Sequence, residues 1–206
     1  MEITSFTRPP KIFHTLYSQS VWSSLSSSPL FTFDDGPGEM TDKILDLGDK
    51  YNEKFVFFLL PHNAEKHKET IRRMVSAGHI IGSHFLSHKS YLFVDKARFQ
   101  SELRQSVDEL SSVAETKIEY CRAPYGRIFP WQQKWITELG LQHMYWTLDS
   151  QDYYQCPAQL ITHRLTQKIC RNDIVLFHDG DTFHHELDII VEHCLQSINL
   201  SDNRKE

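Results

Sequence analysis

The chain has no run of Lys or Arg that could form a basic stripe: its 206 residues hold 22 Lys or Arg against 27 Asp or Glu, a formal charge of -5. That balance argues against nucleic acid or an anionic membrane surface as a partner. Nor is there a window of about 18 apolar residues, so no membrane-spanning helix is expected. The N-terminus, MEITSFTRPPKIFHTLYSQS, lacks the basic stretch and apolar core of an export signal. The expectation is a soluble chain, cytoplasmic by default and exported or envelope-associated if the N-terminus is processed. Cysteine is sparse. Cys121, Cys156, Cys170 and Cys194 lie far apart with no CxxC pair, which excludes a zinc ribbon and leaves a disulfide framework without support. Internal repeats and linkers are missing too. The chain therefore reads as an irregular lead-in (1–28), one main domain (29–200) and a short tail (201–206), large enough to fold without staples.

What is present is alternation. Short apolar runs, LFTF (30–33), KFVFFLL (54–60), HIIGS (79–83), IEYC (118–121), HMYWTL (143–148) and DIVLF (173–177), are separated by longer segments of helical period. Phe99, Leu103, Val107, Leu110 and Ala114 form one apolar stripe, predicting a helix over about residues 95–115, and Leu187, Ile190, Val191, Cys194, Leu195 and Ile198 form another. A short helix is expected around Pro10 to Tyr17. The strands are nearly continuous in apolar residues, as where helices cover a parallel sheet. The fold class is α/β.

Unusual polar residues follow these strands. Asp34 and Asp35 come after the first, His84 after HIIGS, Arg122 after IEYC, Asp149 and Asp152 after HMYWTL, and His178 with Asp179 after DIVLF. In a parallel α/β sheet or barrel all these positions share the carboxyl-terminal face, where loops build active sites. Taken singly, an Asp pair before Gly-Pro is an ordinary turn or cap, and a His at a strand end is an ordinary polar residue. Their coincidence on one face favours a site.

On a continuing strand Asp34 and Asp35 would point to opposite faces, but Gly36-Pro37 breaks it and lets both reach the rim. A cation would offset their repulsion. His84 and His88 lie four apart and meet on one face if the backbone makes a helical turn; with one carboxylate they make three ligands and leave a position for water, as in catalytic zinc sites. His184, His185, Glu186 and the histidines at 62, 67, 79, 143, 163 and 193 are assigned to surface or packing.

The motifs TFDDGP (32–37) with Thr41 downstream, GSHFLSH (82–88), RAPYG (122–126), DSQDY (149–153) and IVLFHD (174–179) together resemble the polysaccharide deacetylase family, carbohydrate esterase family 4. The resemblance covers about Leu30 to Leu195. It implies a distorted (β/α) barrel, parallel strands with outer helices, and metal-dependent removal of acetyl groups from an N-acetylglucosamine-containing glycan such as chitin or peptidoglycan. It implies Asp34 as general base and Asp35, His84 and His88 as ligands of a divalent metal, zinc or alternatively cobalt. His178 matches the general acid, Arg122 the residue that orients and charges the base, and Asp152 the partner of His178. The backbone N–H of Tyr125 matches an oxyanion donor, with Pro124, Tyr153 and Leu176 beside the substrate. Two positions depart from the family: Phe85 replaces the Ser or Thr after the first metal His, and Tyr153 replaces a Trp.

Two other readings use the same residues. Two His and one carboxylate also form the facial triad of iron oxygenases, although a second Asp and a distal His fit hydrolysis better. Phe85 and Tyr153 motivate a glycan-binding homologue with weak or no turnover.

Overall fold

The computed structural model describes residues 7–24, 26, 28–154, 156–181 and 183–202. Seven strands form one curled sheet: β1 (Leu30–Asp34), β2 (Val56–Leu59), β3 (Ile80–Ser83), β4 (Tyr120–Cys121), β5 (Gln142–His143), β6 (Leu148–Asp149) and β7 (Ile174–His178). Their order is β5-β4-β3-β2-β1-β7-β6 and every neighbouring pair is parallel. Eight α-helices lie among the described residues: α1 (Ile12–Leu16), α2 (Thr41–Tyr51), α3 (Pro61–Ala64), α4 (Lys68–Ser76), α5 (Lys96–Ala114), α6 (Gln132–Thr137), α7 (Ala158–Thr166) and α8 (Leu187–Asp202). None of them is long and apolar enough to cross a membrane.

The strand runs work because both faces are buried. On β2, Phe57 and Leu59 join the layer between sheet and helices, with Phe31, Phe33 and Phe177 from the central strands and Ile190 and Val191 from α8. Val56 and Phe58, the alternate residues, face the interior of the curl with Met144 and Ile174. Each fully buried side chain of this size contributes about 1.5–3 kcal/mol. Phe58 fills its space so closely that a Cβ at Gly82, on neighbouring β3, would lie 2.6 Å from its ring. Helix α5 begins where the Asp95 carboxylate accepts the Arg98 N–H at 3.0 Å, an N-cap that satisfies an otherwise orphaned donor.

One sequence expectation is corrected. HMYWTL is two strands at opposite edges of the sheet, β5 and β6, and residues 144–147 cross between them. An apolar run has the same composition whether it pairs or crosses. The crossing segment is tied at both ends: Met144 N–H donates to Cys121 C=O at 2.9 Å, and Thr147 N–H donates to Ile174 C=O at 2.9 Å. The lead-in seals the same gap. Val21 pairs with Met144, and Asp149 N–H donates to Thr7 C=O at 2.8 Å.

Candidate active site

The adjacent carboxylates are arranged by a turn. Strand β1 ends at Asp34, and Asp35 has φ 73, a left-handed conformation that Asp tolerates better than most residues. The side chains of Asp34 and Asp35 therefore line one cavity. Asp179 holds the turn from behind. Its carboxylate accepts from Thr41 Oγ1 at 2.6 Å, Thr41 Oγ1 accepts the Gly38 N–H at 2.8 Å, and Asp179 N–H donates to Asp34 C=O at 3.1 Å. A Cβ on Gly36 would lie 2.4 Å from Asp179 Oδ1, so the turn needs glycine there. Burial pushes the Asp179 carboxyl up to about 7, against the Thr41 hydrogen bond.

Asp35 Oδ1 lies 3.5 Å from His84 Nε2 and 3.4 Å from His88 Nε2. Two atoms ligating one zinc at about 2.0–2.1 Å with a tetrahedral angle would be about 3.4 Å apart. Both Asp35 oxygens and His84 Nδ1 are buried without a hydrogen-bond partner, a costly condition for a carboxylate. Burial pushes Asp35 up to about 7, lowers His84 to about 4 and lowers His88, favouring neutral imidazoles. The donor types, their spacing and the orphaned oxygens fit a divalent cation held by Asp35, His84 and His88.

The helical turn expected between the two histidines does not form. Residues 84–88 follow β3 as a bent loop with Phe85 at φ 65. That conformation costs a bulky residue about 1–2 kcal/mol, offset by burial of the ring against Tyr91 and Phe99, at 4.5 and 5.3 Å between centroids. Phe85 points into the core rather than the cavity. Its N–H donates to Ser83 Oγ at 3.0 Å, and Ser83 and Ser106 hydroxyls bond at 2.7 Å, so Ser83 anchors the loop.

Arg122 is completely buried and uses its donors on four partners. Nη1 donates to Asp34 Oδ1 at 2.8 Å and Thr32 Oγ1 at 2.7 Å; Nε and Nη2 donate to the carbonyls of Met144 and Tyr145 at 3.0 and 3.1 Å. It thus ties Asp34 to the segment that crosses the barrel. Asp34 Oδ2 is 3.9 Å from His84 Nδ1. Asp152 grips His178 twice, accepting the backbone N–H on Oδ2 and contacting Nδ1 with Oδ1, both at 2.8 Å. Burial pulls the His178 pKa down, but the charge and hydrogen bond of Asp152 outweigh it and raise the imidazole to about 9.

A cavity of about 340 Å³ is lined by Asp34, Asp35, His84, His88, Tyr125, Trp146, Asp149, Tyr153, Leu176, His178 and Phe183. Arg122, Asp152 and Pro124 are buried outside that lining. Tyr125 has φ 60 in a short turn, and its ring lies 4.4 Å from that of His88. Tyr153 Oη donates to Asp149 Oδ2 at 2.9 Å, and the Tyr153 ring meets His178 edge-on at 5.4 Å. Sequence reasoning missed Trp146, concealed in an apolar run, and Phe183, whose loop carries no distinguishing signal. His79 and His143 are core residues: His79 Nδ1 accepts the Phe55 N–H at 3.0 Å and His143 Nε2 accepts the Ala123 N–H at 3.2 Å.

Comparison with known proteins agrees with this geometry. A family model described as Polysaccharide deacetylase matches residues 26–144. A peptidoglycan-N-acetylglucosamine deacetylase of Bacillus cereus is 34% identical over 154 residues, 74% of this chain and 56% of that protein. The chain spans 56 to 61% of the length of the first curated relatives it matches. Among solved structures, the Bc1960 peptidoglycan N-acetylglucosamine deacetylase superposes with a TM-score of 0.84 at 28% identity, covering 94% of this chain and 92% of that one. A CE4 family pseudoenzyme from Bacillus anthracis shares the fold with a TM-score of 0.80 at 17% identity, covering 88% of this chain and 64% of that one. Such a fold alone does not decide turnover.

Proposed function

The chain belongs to the polysaccharide deacetylase family, and from that premise we propose that it is a metal-dependent hydrolase removing N-acetyl groups from an N-acetylglucosamine-containing glycan, with release of acetate. The observation that carries this reading is the meeting, in one cavity, of Asp34, the group Asp35, His84 and His88, and a His178 held by Asp152. Zinc suits the donor set best, and cobalt also fits. When bound, the ion lowers the pKa of a water and polarises the amide carbonyl.

The chain's own residues do the rest. Asp34 takes the proton of the attacking water as general base; Arg122, bonded to Oδ1, orients it and leaves Oδ2 for that proton. The Tyr125 N–H donates to the carbonyl oxygen as it gains negative charge. His178, with Nδ1 engaged by Asp152, presents Nε2 and donates a proton to the departing amine nitrogen. Leu176 and Tyr153 flank the acetyl methyl, and Pro124 shapes the turn that carries Tyr125. Water adds to the amide, the C–N bond breaks, and acetate and a free amine leave.

A glycan-binding homologue without turnover is less favoured at Phe85, whose ring lies in the core outside the cavity lining and whose N–H is bonded to Ser83 Oγ. The hydrolase reading is tested by incubating zinc- or cobalt-loaded protein with chitooligosaccharides and peptidoglycan fragments and measuring acetate. Release from either supports it; sugar binding with no acetate from both would favour the binding homologue.

A further inference from the structure

Outside the cavity, two loops that supply site residues also present bare aromatic rings. Phe93, on the loop after His88, is 91% exposed, and Trp131, on the loop after Tyr125, is 59% exposed. Phe129 joins them: its ring stacks on Trp131 at 4.3 Å and 12°, and meets Phe93 edge-on at 5.5 Å. None of the three lines the cavity, whereas Tyr125, itself 55% exposed, does. The chain connects them directly. Between Tyr125 and Trp131 the backbone can span at most about 20 Å.

This segment is built rather than loose. Ile128 is buried while Tyr125, Arg127 and Trp131 are exposed, so the loop turns its apolar anchor inward and displays the rings. The Ile128 carbonyl accepts from Tyr17 Oη at 2.8 Å, and the Gly126 carbonyl accepts from Tyr145 Oη at 3.1 Å. The buried Gln132 amide accepts the Phe129 N–H at 2.7 Å and donates to Tyr91 C=O at 2.9 Å, joining this loop to the one bearing Phe93. Exposed rings on so well-tied a backbone are preorganised for a ligand.

We propose that Phe93, Phe129 and Trp131 form an extended glycan subsite, continuous with the cavity through Tyr125, that binds sugars neighbouring the one losing its acetyl group. A pyranose ring offers an apolar C–H face, which stacks on the electron-rich face of an aromatic ring, and hydroxyls at its edge, which Arg127 can meet as a donor. Continuity with a pocket that takes one sugar argues for further sugars of the same strand. The inference rests on the hydrolase reading and makes the chain selective for long substrates.

The test compares zinc-loaded wild type, Trp131→Ala, Phe93→Ala and Trp131→Phe on N-acetylglucosamine pentamer and dimer. The two alanine variants should raise KM for the pentamer about five- to tenfold, the effect of losing one binding anchor. Their kcat/KM on the dimer should match wild type, and Trp131→Phe should recover most of the pentamer loss. Unchanged pentamer kinetics, or equal losses on both lengths, would overturn the subsite. Should no acetate be released at all, the hydrolase reading fails separately, and electrophoresis through soluble glycol chitin still decides the subsite. Retardation of wild type that Trp131→Ala abolishes supports it; no retardation of wild type, or equal retardation of both, refutes it.

Discussion

Replacing Asp152 by Asn isolates the proton supply. In the wild type both carboxylate oxygens hold His178, and the imidazole is raised from 6.5 to about 9 although burial alone would lower it. At pH 7 a group with that pKa is about 99% protonated. Without the Asp152 charge, burial is opposed only by the smaller pull of Asp34 and Asp35, so the pKa falls. At 6.5 or below, no more than about a quarter of His178 would carry its proton at pH 7. At pH 8 no more than about 3% would, against about 91% in wild type, so kcat should fall about thirtyfold or more there, toward the loss of about 10²–10⁴ that complete removal of general-acid catalysis costs, and recover partly toward pH 6. The assay is acetate release across pH 5.5–10. In wild type the alkaline limb should lie near 9, and in Asp152→Asn it should move down by two or more units. Stability gives a second readout with a definite sign. Because the folded pKa of His178 is raised, its stabilisation is complete below 6.5 and is lost as pH rises through 9. The difference in denaturation midpoint between wild type and Asp152→Asn should therefore shrink over that window. An alkaline limb that stays put in the variant would refute the assignment of His178 as the acid.

Asp34→Asn should bind zinc with wild-type stoichiometry, by elemental analysis, yet release acetate at least about 10²-fold more slowly; loss of zinc with Asp34→Asn would mean that the roles of Asp34 and Asp35 are reversed. Zinc added to chelator-stripped protein should raise the melting temperature, and Asp35→Ala should abolish that rise, because the orphaned carboxylate is what the ion satisfies. Gly36→Ala should lower both melting temperature and activity, since the new methyl would meet the Asp179 carboxylate; Gly140→Ala, with open space around it, isolates the backbone cost of alanine at positive φ and should not affect zinc binding.

The site was more legible in the sequence than the way it is held. Parallel α/β topology places strand ends together whatever the loop details, so Asp34, His84, Arg122, Asp149 and His178 could be gathered on one face from the position of apolar runs alone. Connections that depend on a single side chain could not be gathered so. Ser83 reads as the last residue of a strand, yet its hydroxyl accepts the Phe85 N–H and anchors the loop that carries His84 and His88. Asp179 reads as an appendage to His178, yet its carboxylate fixes the turn between Asp34 and Thr41. Residues 144–147 read as strand interior, yet they bridge the two edges of the sheet, because hydrophobicity records burial and not pairing.

Arg122 connects the two levels. A guanidinium with no exposed surface would be costly unless its donors were used, and they are: on Asp34, Thr32 and the carbonyls of Met144 and Tyr145. The group that orients the proposed base is therefore also a clasp of the barrel. Its partners lie on β1 and in the segment crossing from β5 to β6, so closure of the sheet and alignment of Asp34 cannot vary independently. A substitution at Val21 that loosens the crossing segment should reach the cavity through Arg122 without touching a cavity residue, because Val21 pairs with Met144 and its C=O accepts the Tyr145 N–H at 3.0 Å.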